Sequence, residues 1–185
     1  GVLIFDFFKK KRANYFSKKY WELVGVEIPL QKKLRPNMNF VGFIDLVMKD
    51  TRNGRFKVID IKTSTKGWNK YVKQDKIKSD QILLYKKFLS ETWKIPIDRI
   101  DVEFLILKRM LYENVDFPQK RVQLHHPANG TPSMNQTWKR FESFMDDCYD
   151  ENGDRILDKE YTKTNTQKSC KWCEFKDKPE ICDRG

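Results

Sequence analysis

Residues 39–63 read Asn39-Phe40-Val41-Gly42-Phe43-Ile44-Asp45-Leu46-Val47-Met48-Lys49-Asp50-Thr51-Arg52-Asn53-Gly54-Arg55-Phe56-Lys57-Val58-Ile59-Asp60-Ile61-Lys62-Thr63. Two apolar runs flank Asn53-Gly54, the strongest short signal for a β-hairpin. A two-residue turn at Asn-Gly would set Asp45 opposite Lys62, with Asp60 on the diagonal. A four-residue loop, 51–54, would set Asp45 opposite Asp60. Side chains alternate along a strand, so either register places Asp45, Asp60 and Lys62 on one face. The other face carries Ile44, Leu46, Ile59 and Ile61. Because the charged face also holds Val41, Phe43, Val47 and Val58, the hairpin is expected to be covered on both sides.

Ahead of the hairpin, residues 6–24 mix aromatic residues and lysines at helical spacing and predict one or two amphipathic helices. Val26 to Leu34 predicts a first strand, ended by Arg35-Pro36-Asn37. Beyond it, Ser64 to Lys78 is polar and basic and reads as a loop with a helical turn. Ser79 is a cap for a helix to about Thr92. Val102 to Lys108 and Arg121 to His125 are strands, and Ser133 to Tyr149 is a helix with one apolar stripe. The expected fold is α/β: a mixed central sheet of about five strands flanked by helices, a restriction-endonuclease-like core. Residues 1–150 are expected to form the main domain and 151–185 a cysteine-containing tail packed on it or extending it.

The 185 residues carry 37 Lys/Arg against 26 Asp/Glu, a net charge of +11, with 39% apolar and 14% aromatic residues. That composition supports a core and excludes a disordered tail. Apolar runs of only a few residues, such as Val2 to Phe5, exclude a membrane-spanning helix and a secretory leader, so an intracellular, cytoplasmic location is expected. The charge is uneven: residues 1–90 hold 21 Lys/Arg and 8 Asp/Glu, whereas residues 91–185 hold 16 and 18. A one-sided excess suits a polyanion, with a merely solvated basic surface as the plainer alternative.

Two carboxylates and an ammonium on a covered face are costly unless they pair or bind a cation. Clustered hard oxygen donors suit Mg²⁺ or Mn²⁺, and a partly buried salt bridge among Asp45, Asp60 and Lys62 is the structural alternative.

The ordered set Gly42-Phe43-Ile44-Asp45, Val58-Ile59-Asp60-Ile61-Lys62-Thr63 and Gln81 with Tyr85 resembles the RecB-like branch of the PD-(D/E)XK nucleases. The resemblance is close over residues 24–90 and holds elsewhere by element order. It implies that Asp45, Asp60 and the backbone carbonyl of Ile61 ligate a divalent metal, Mg²⁺ or Mn²⁺. It further implies that Lys62 orients or deprotonates the attacking water, that Glu27 assists the metal site, and that Gln81 and Tyr85 touch the site and the DNA. Many members of that branch carry a His or Glu on a helix ahead of the first strand, and no His precedes His125 here.

Thr63, Lys66, Trp68, Lys70, Tyr71, Lys73, Lys76 and Lys78 follow Lys62 directly. Lysines neutralise phosphates and aromatic rings stack on unpaired bases, so this segment is expected to grip single-stranded ends. A solvated loop with Trp68 tucked into the core is the alternative. In the tail, Cys170-x2-Cys173-x8-Cys182 has metal-thiolate spacing. It resembles the trailing cysteine trio of iron–sulfur-containing members of the branch, which implies a [4Fe–4S] cluster with a fourth Cys upstream; Zn²⁺ would need Cys148 or a His as its fourth ligand. The expected function is a metal-dependent DNA exonuclease acting on single-stranded or end-containing DNA in recombination, replication or repair, with a helicase or recombination protein as partner. A non-catalytic nucleic-acid-binding module with a zinc or iron–sulfur tail is the rival reading.

Overall fold

β-Branched and aromatic residues between Trp21 and Ser64 build three long antiparallel strands: β1 (Trp21–Arg35), β2 (Met38–Asp50) and β3 (Phe56–Ser64). The structure, a computed structural model, describes residues 2–16, 19–161, 167–171 and 173–182. After β3 come α2 (Lys70–Gln74) and α3 (Lys76–Trp93), which carry the chain back to β4 (Ile100–Lys108), parallel to β3. β5 (Val122–His125) closes the sheet antiparallel to β4, and α4 (Thr131–Cys148) follows it. The sheet order is β1-β2-β3-β4-β5, a mixed five-stranded sheet with flanking helices, as the sequence indicated. The chain divides into two compact units, Gly1–Asp154 and Arg155–Gly185; the second contains α5 (Gln167–Cys170). Among the described residues, no helix is long and apolar enough to cross a membrane.

The hairpin adopts the four-residue loop. Lys49 pairs with Phe56 and Leu46 with Ile59, and the Asp50 N–H donates to the Arg55 carbonyl at 2.8 Å. Asp50 is responsible. Its carboxylate accepts from the Arg52 amide and from Nε, both at 3.0 Å, and from Nη2 at 2.6 Å, which organises the loop from inside and leaves only Gly54 (φ 70°) in the left-handed region. Hydrogen bonds from Arg52 hold the Asp50 carboxyl down at about 2. An unfolded Asp titrates near about 3.9, so the stabilisation is complete above that pH and is lost as pH falls toward about 2. Acid unfolding monitored by circular dichroism should therefore begin at a higher pH for Arg52→Ala than for the wild type.

Several boundaries differ from the sequence reading. The helix expected over residues 6–24 is α1 (Val2–Lys11) with a 3-10 turn at Arg12–Asn14, and β1 starts at Trp21 rather than Val26. Trp21 and Leu23 pair with Asp50 and Met48, so partners across the sheet override the helical spacing of the aromatic residues. α3 begins at Lys76: Asp75, not Ser79, caps it by accepting the Ile77 N–H at 3.2 Å. Asn69 caps α2 within the stretch read as a loop, accepting the Val72 N–H at 3.0 Å.

The larger core lies under α3 and α4, with Leu30, Ile44, Val47, Val58, Phe88 and Phe104 in it; α1 covers part of the other face through Phe7 and Phe8 against Met48 and Ile59. Strict alternation fails along β1 and β2. Ile28 and Ile44 face the α3 side, whereas Leu46 faces the other and its partner Val26 is 59% exposed. The switch falls at Glu27, whose φ is 48°, and at Asp45 opposite it. Consequently Val41 and Phe43 are exposed rather than covered.

Candidate active site

β3 brings Asp60 and Lys62 to the α3 side of the sheet, beside core residues Val58 and Phe104. Asp60 is 3% exposed. The Lys62 Nζ lies 3.2 Å from its Oδ1 and 2.9 Å from its Oδ2. Only the Oδ1 contact has hydrogen-bond geometry, so Oδ2 is a buried oxygen with an ion pair and no hydrogen bond. Burial pushes the Asp60 carboxyl up, Lys62 pulls it down, and the charge of Asp45 adds to the upward push. The net result is a carboxylate short of positive charge.

Asp45 comes from β2 at the residue where the strand changes face. Its Oδ2 accepts the Ile61 N–H at 2.6 Å, one step beyond the last β2–β3 ladder pair, Leu46 with Ile59. A residue's N–H and C=O point to the same side of an extended strand. The Ile61 carbonyl therefore points to the β2 side of β3, the side on which Asp45 lies. Glu27 is exposed and lies opposite Asp45 with left-handed backbone. Such strain in a non-glycine residue persists only where the surroundings enforce it, and here it accompanies the change of face.

α3 supplies the far wall. Gln81 Oε1 accepts from Lys62 Nζ at 2.8 Å, and Gln81 Nε2 donates to the Tyr85 hydroxyl at 2.9 Å, giving a chain Asp60–Lys62–Gln81–Tyr85. Helical spacing of four residues aligns Gln81 with Tyr85. Asp80, which sequence reasoning passed over, fixes the rotation of α3: it accepts from Thr137 at 2.7 Å and from Arg140 Nε at 2.8 Å, both on α4.

Gly42 explains itself at this wall. A Cβ there would stand 2.7 Å from Tyr85 Cε1 and 3.3 Å from a Phe40 ring atom. Gly42→Ala should therefore displace the Tyr85 ring and with it Gln81, lowering turnover by about 10- to 100-fold while leaving the far-ultraviolet spectrum unchanged. Steady-state kinetics checks it, and full activity would mean that the Tyr85–Gln81 link is dispensable.

The structure thus gathers Asp45, Asp60, the Ile61 backbone, Lys62, Gln81 and Tyr85, with Glu27 at the edge. It does not gather the whole basic segment. Trp68 is taken up by the core, its ring 4.9 Å from Phe104 and 6.1 Å from His125, while Gln123 holds its backbone N–H and carbonyl at 2.7 and 3.0 Å. The partly buried indole thus packs against the core, the alternative that the sequence left open for it. Lys66 lies over the Tyr112 ring at 4.5 Å, Thr63 and Lys70 are exposed, and Tyr71 stands 81% exposed.

Mg²⁺ characteristically uses one or two carboxylates and keeps other positions for water and phosphate. Two carboxylates, one with a buried unsatisfied oxygen, and an adjacent carbonyl fit that demand. Cys170 and Cys182 are half-buried, Cys173 is exposed, and among the described residues no group of three or more His, Cys, Asp or Glu side chains is gathered to hold a metal.

Comparisons with known proteins bear on the family. A small ribosomal subunit protein uS13c of Gracilaria tenuistipitata var. liui is 28% identical over 108 residues, 58% of this chain and 77% of that protein. The crystal structure of SSO0001 superposes with a TM-score of 0.45 at 13% identity, covering 98% of this chain and 69% of that one. Neither likeness is strong enough to assign anything. The match that decides runs over residues 3–182, nearly the whole sequence, and by it this chain belongs to the PD-(D/E)XK nuclease superfamily.

Proposed function

We propose that the domain is a Mg²⁺- or Mn²⁺-dependent deoxyribonuclease that hydrolyses phosphodiester bonds as an exonuclease on single-stranded or end-containing DNA, in recombination, replication or repair. The observation that carries the reading is Asp60: a carboxylate buried beside a second carboxylate, with one oxygen lacking a hydrogen bond. Asp45, Asp60 and the Ile61 carbonyl would hold the metal. When bound, it supplies Lewis-acid polarisation of the phosphoryl oxygen and acidification of water.

The chain's own groups supply the rest. Gln81 and Asp60 fix the Lys62 ammonium between them, where it offsets negative charge on the phosphate and orients the attacking water. Tyr85 fixes the Gln81 amide in turn. Lys66, Lys70 and the exposed ring of Tyr71 follow β3 immediately and supply phosphate and base contacts.

The test uses end-labelled linear and circular single-stranded DNA, with Mn²⁺ or with chelator. Linear DNA should be degraded from its ends and circular DNA spared. Cleavage of the circle would replace exonuclease with endonuclease, and salt-sensitive binding without cleavage would favour a non-catalytic binding module. Tyr71→Ala should weaken single-strand binding by about 1–3 kcal/mol, a roughly 5- to 150-fold rise in Kd. Fluorescence anisotropy reads that change directly.

A further inference from the structure

A cleft lies outside the residues of the candidate active site. The end of α2, the start of α3, the end of β5 and the start of α4 enclose a cleft of about 330 Å³ whose walls include Lys73, Lys76, His125, Ser133, Gln136 and Arg140. Arg140 is held by Asp80, so the cleft's excess positive charge comes from Lys73 and Lys76; Lys76 Nζ donates to Gln136 Oε1 at 3.1 Å, which aligns it along α4. His125 contributes a buried Nε2 with no hydrogen-bond partner. This cleft combines two ammonium groups with the polar side chains of Ser133 and Gln136.

Its position follows from sheet register. Asp60 pairs with Phe104, and Phe104 with His125, so the three form one row across β3, β4 and β5. The Phe104 and His125 rings stack at 6.1 Å with an interplanar angle of 9°, which puts His125 on the same face as the core around Asp60. Neighbouring strands lie about 4.8 Å apart, so two steps separate the Asp60 and His125 backbones by about 10 Å. At about 3.4 Å per stacked nucleotide, that is a separation of about three nucleotides.

We infer that this cleft is a second phosphate-binding subsite, holding a backbone phosphodiester of the nucleic-acid strand within about three nucleotides of the one at Asp60. The inference rests on the nuclease reading for its substrate class, and it adds a site for substrate positioning. Lys73 and Lys76 supply the charge, with Lys76 aligned by Gln136. A cation pair there fixes the register of the strand without reading its sequence.

The test is salt-dependent binding of fluorescently labelled oligo(dT) in chelator, where no cleavage is needed. Lys73→Gln/Lys76→Gln should flatten the plot of log K against log salt by about 0.7 for each lost contact, or about 1.4 in all. Ser133→Glu is a second variant that adds charge at the cleft without weakening α4, since an acidic residue suits a helix N-terminus. It should weaken binding at low salt and lose that effect at high salt. An unchanged slope in the double variant, or an equal loss from Lys9→Gln/Lys10→Gln on α1, would overturn the inference. Displacement of the oligonucleotide by equimolar inorganic phosphate would also overturn it, by assigning the cleft to a free anion. Metal-dependent cleavage with an unaltered slope sinks the subsite alone; a flattened slope in a chain that never cuts sinks the nuclease reading alone.

Discussion

Asp60→Asn is expected to remove metal-dependent cleavage, with a loss of at least about 10²- to 10³-fold, while leaving the protein folded. The carboxylate is 3% exposed and its ionised form is disfavoured, burial outweighing the help from Lys62. The folded state therefore binds the Asp60 proton more tightly than the unfolded chain does. Stability from this group is lost as pH rises from the unfolded carboxyl value through the raised folded one, and at neutral pH the charge is a net cost. Neutralising it should leave thermal stability equal or higher. A divalent ion bound only by the folded state should add about 2.7 kcal/mol at a concentration 100 times its Kd. Thermal scans with and without Mn²⁺ should show that increment in the wild type and not in Asp60→Asn. Lys62→Ala should be comparably inactive and should still show the metal-induced rise, because Lys62 acts on phosphate and water. Undiminished cleavage by Asp60→Asn would end the assignment.

Phe88→Ala should be among the most destabilising single truncations, at about 3–5 kcal/mol. Phe88 is 1% exposed on α3, its ring centroid 4.4 Å from that of Phe40 on β2 and 6.1 Å from those of Trp138 and Phe141 on α4. It is thus the point where sheet and both long helices meet, and a cavity there has rigid walls. For a domain of this size each kcal/mol moves Tm by about 2–4 °C, so a fall on the order of 10 °C is expected. Urea unfolding with an unchanged slope would place the effect in the native state, and a loss below about 1 kcal/mol would mean that the aromatic cluster closes over the gap.

These two variants separate what is chemically expensive from what is structurally necessary. Asp60 is held in an unfavourable environment by a well-packed sheet, and residues such as Phe88 offset that cost. Gly42 belongs to both groups, since its missing side chain is what lets Tyr85 lie against β2 and hold Gln81.

Most of the site was legible from residues 39–63 and the pair Gln81 and Tyr85, because a hairpin constrains its partners tightly and a helix aligns residues four apart. Two alternatives remained at the hairpin loop. Asp50 resolved them by gathering donors from Arg52, a local contact whose strength depends on that carboxylate being nearly buried. Trp68 was ambiguous for a different reason: an aromatic residue in a basic segment suits a base or a core equally well, and only the tertiary structure brings Phe104 and His125 beside it.

By itself, then, the sequence determined the alternation of elements, the mixed sheet, and the closeness of Asp45, Asp60 and Lys62, all consequences of short-range periodicity and one turn. The tertiary structure alone decided the change of face at Glu27 and Asp45, the burial that leaves Asp60 Oδ2 unsatisfied, and the cleft that sets His125 beside Lys73 and Lys76. Those features depend on contacts between residues far apart in the chain, where burial and electrostatics are set by neighbours that no local pattern specifies.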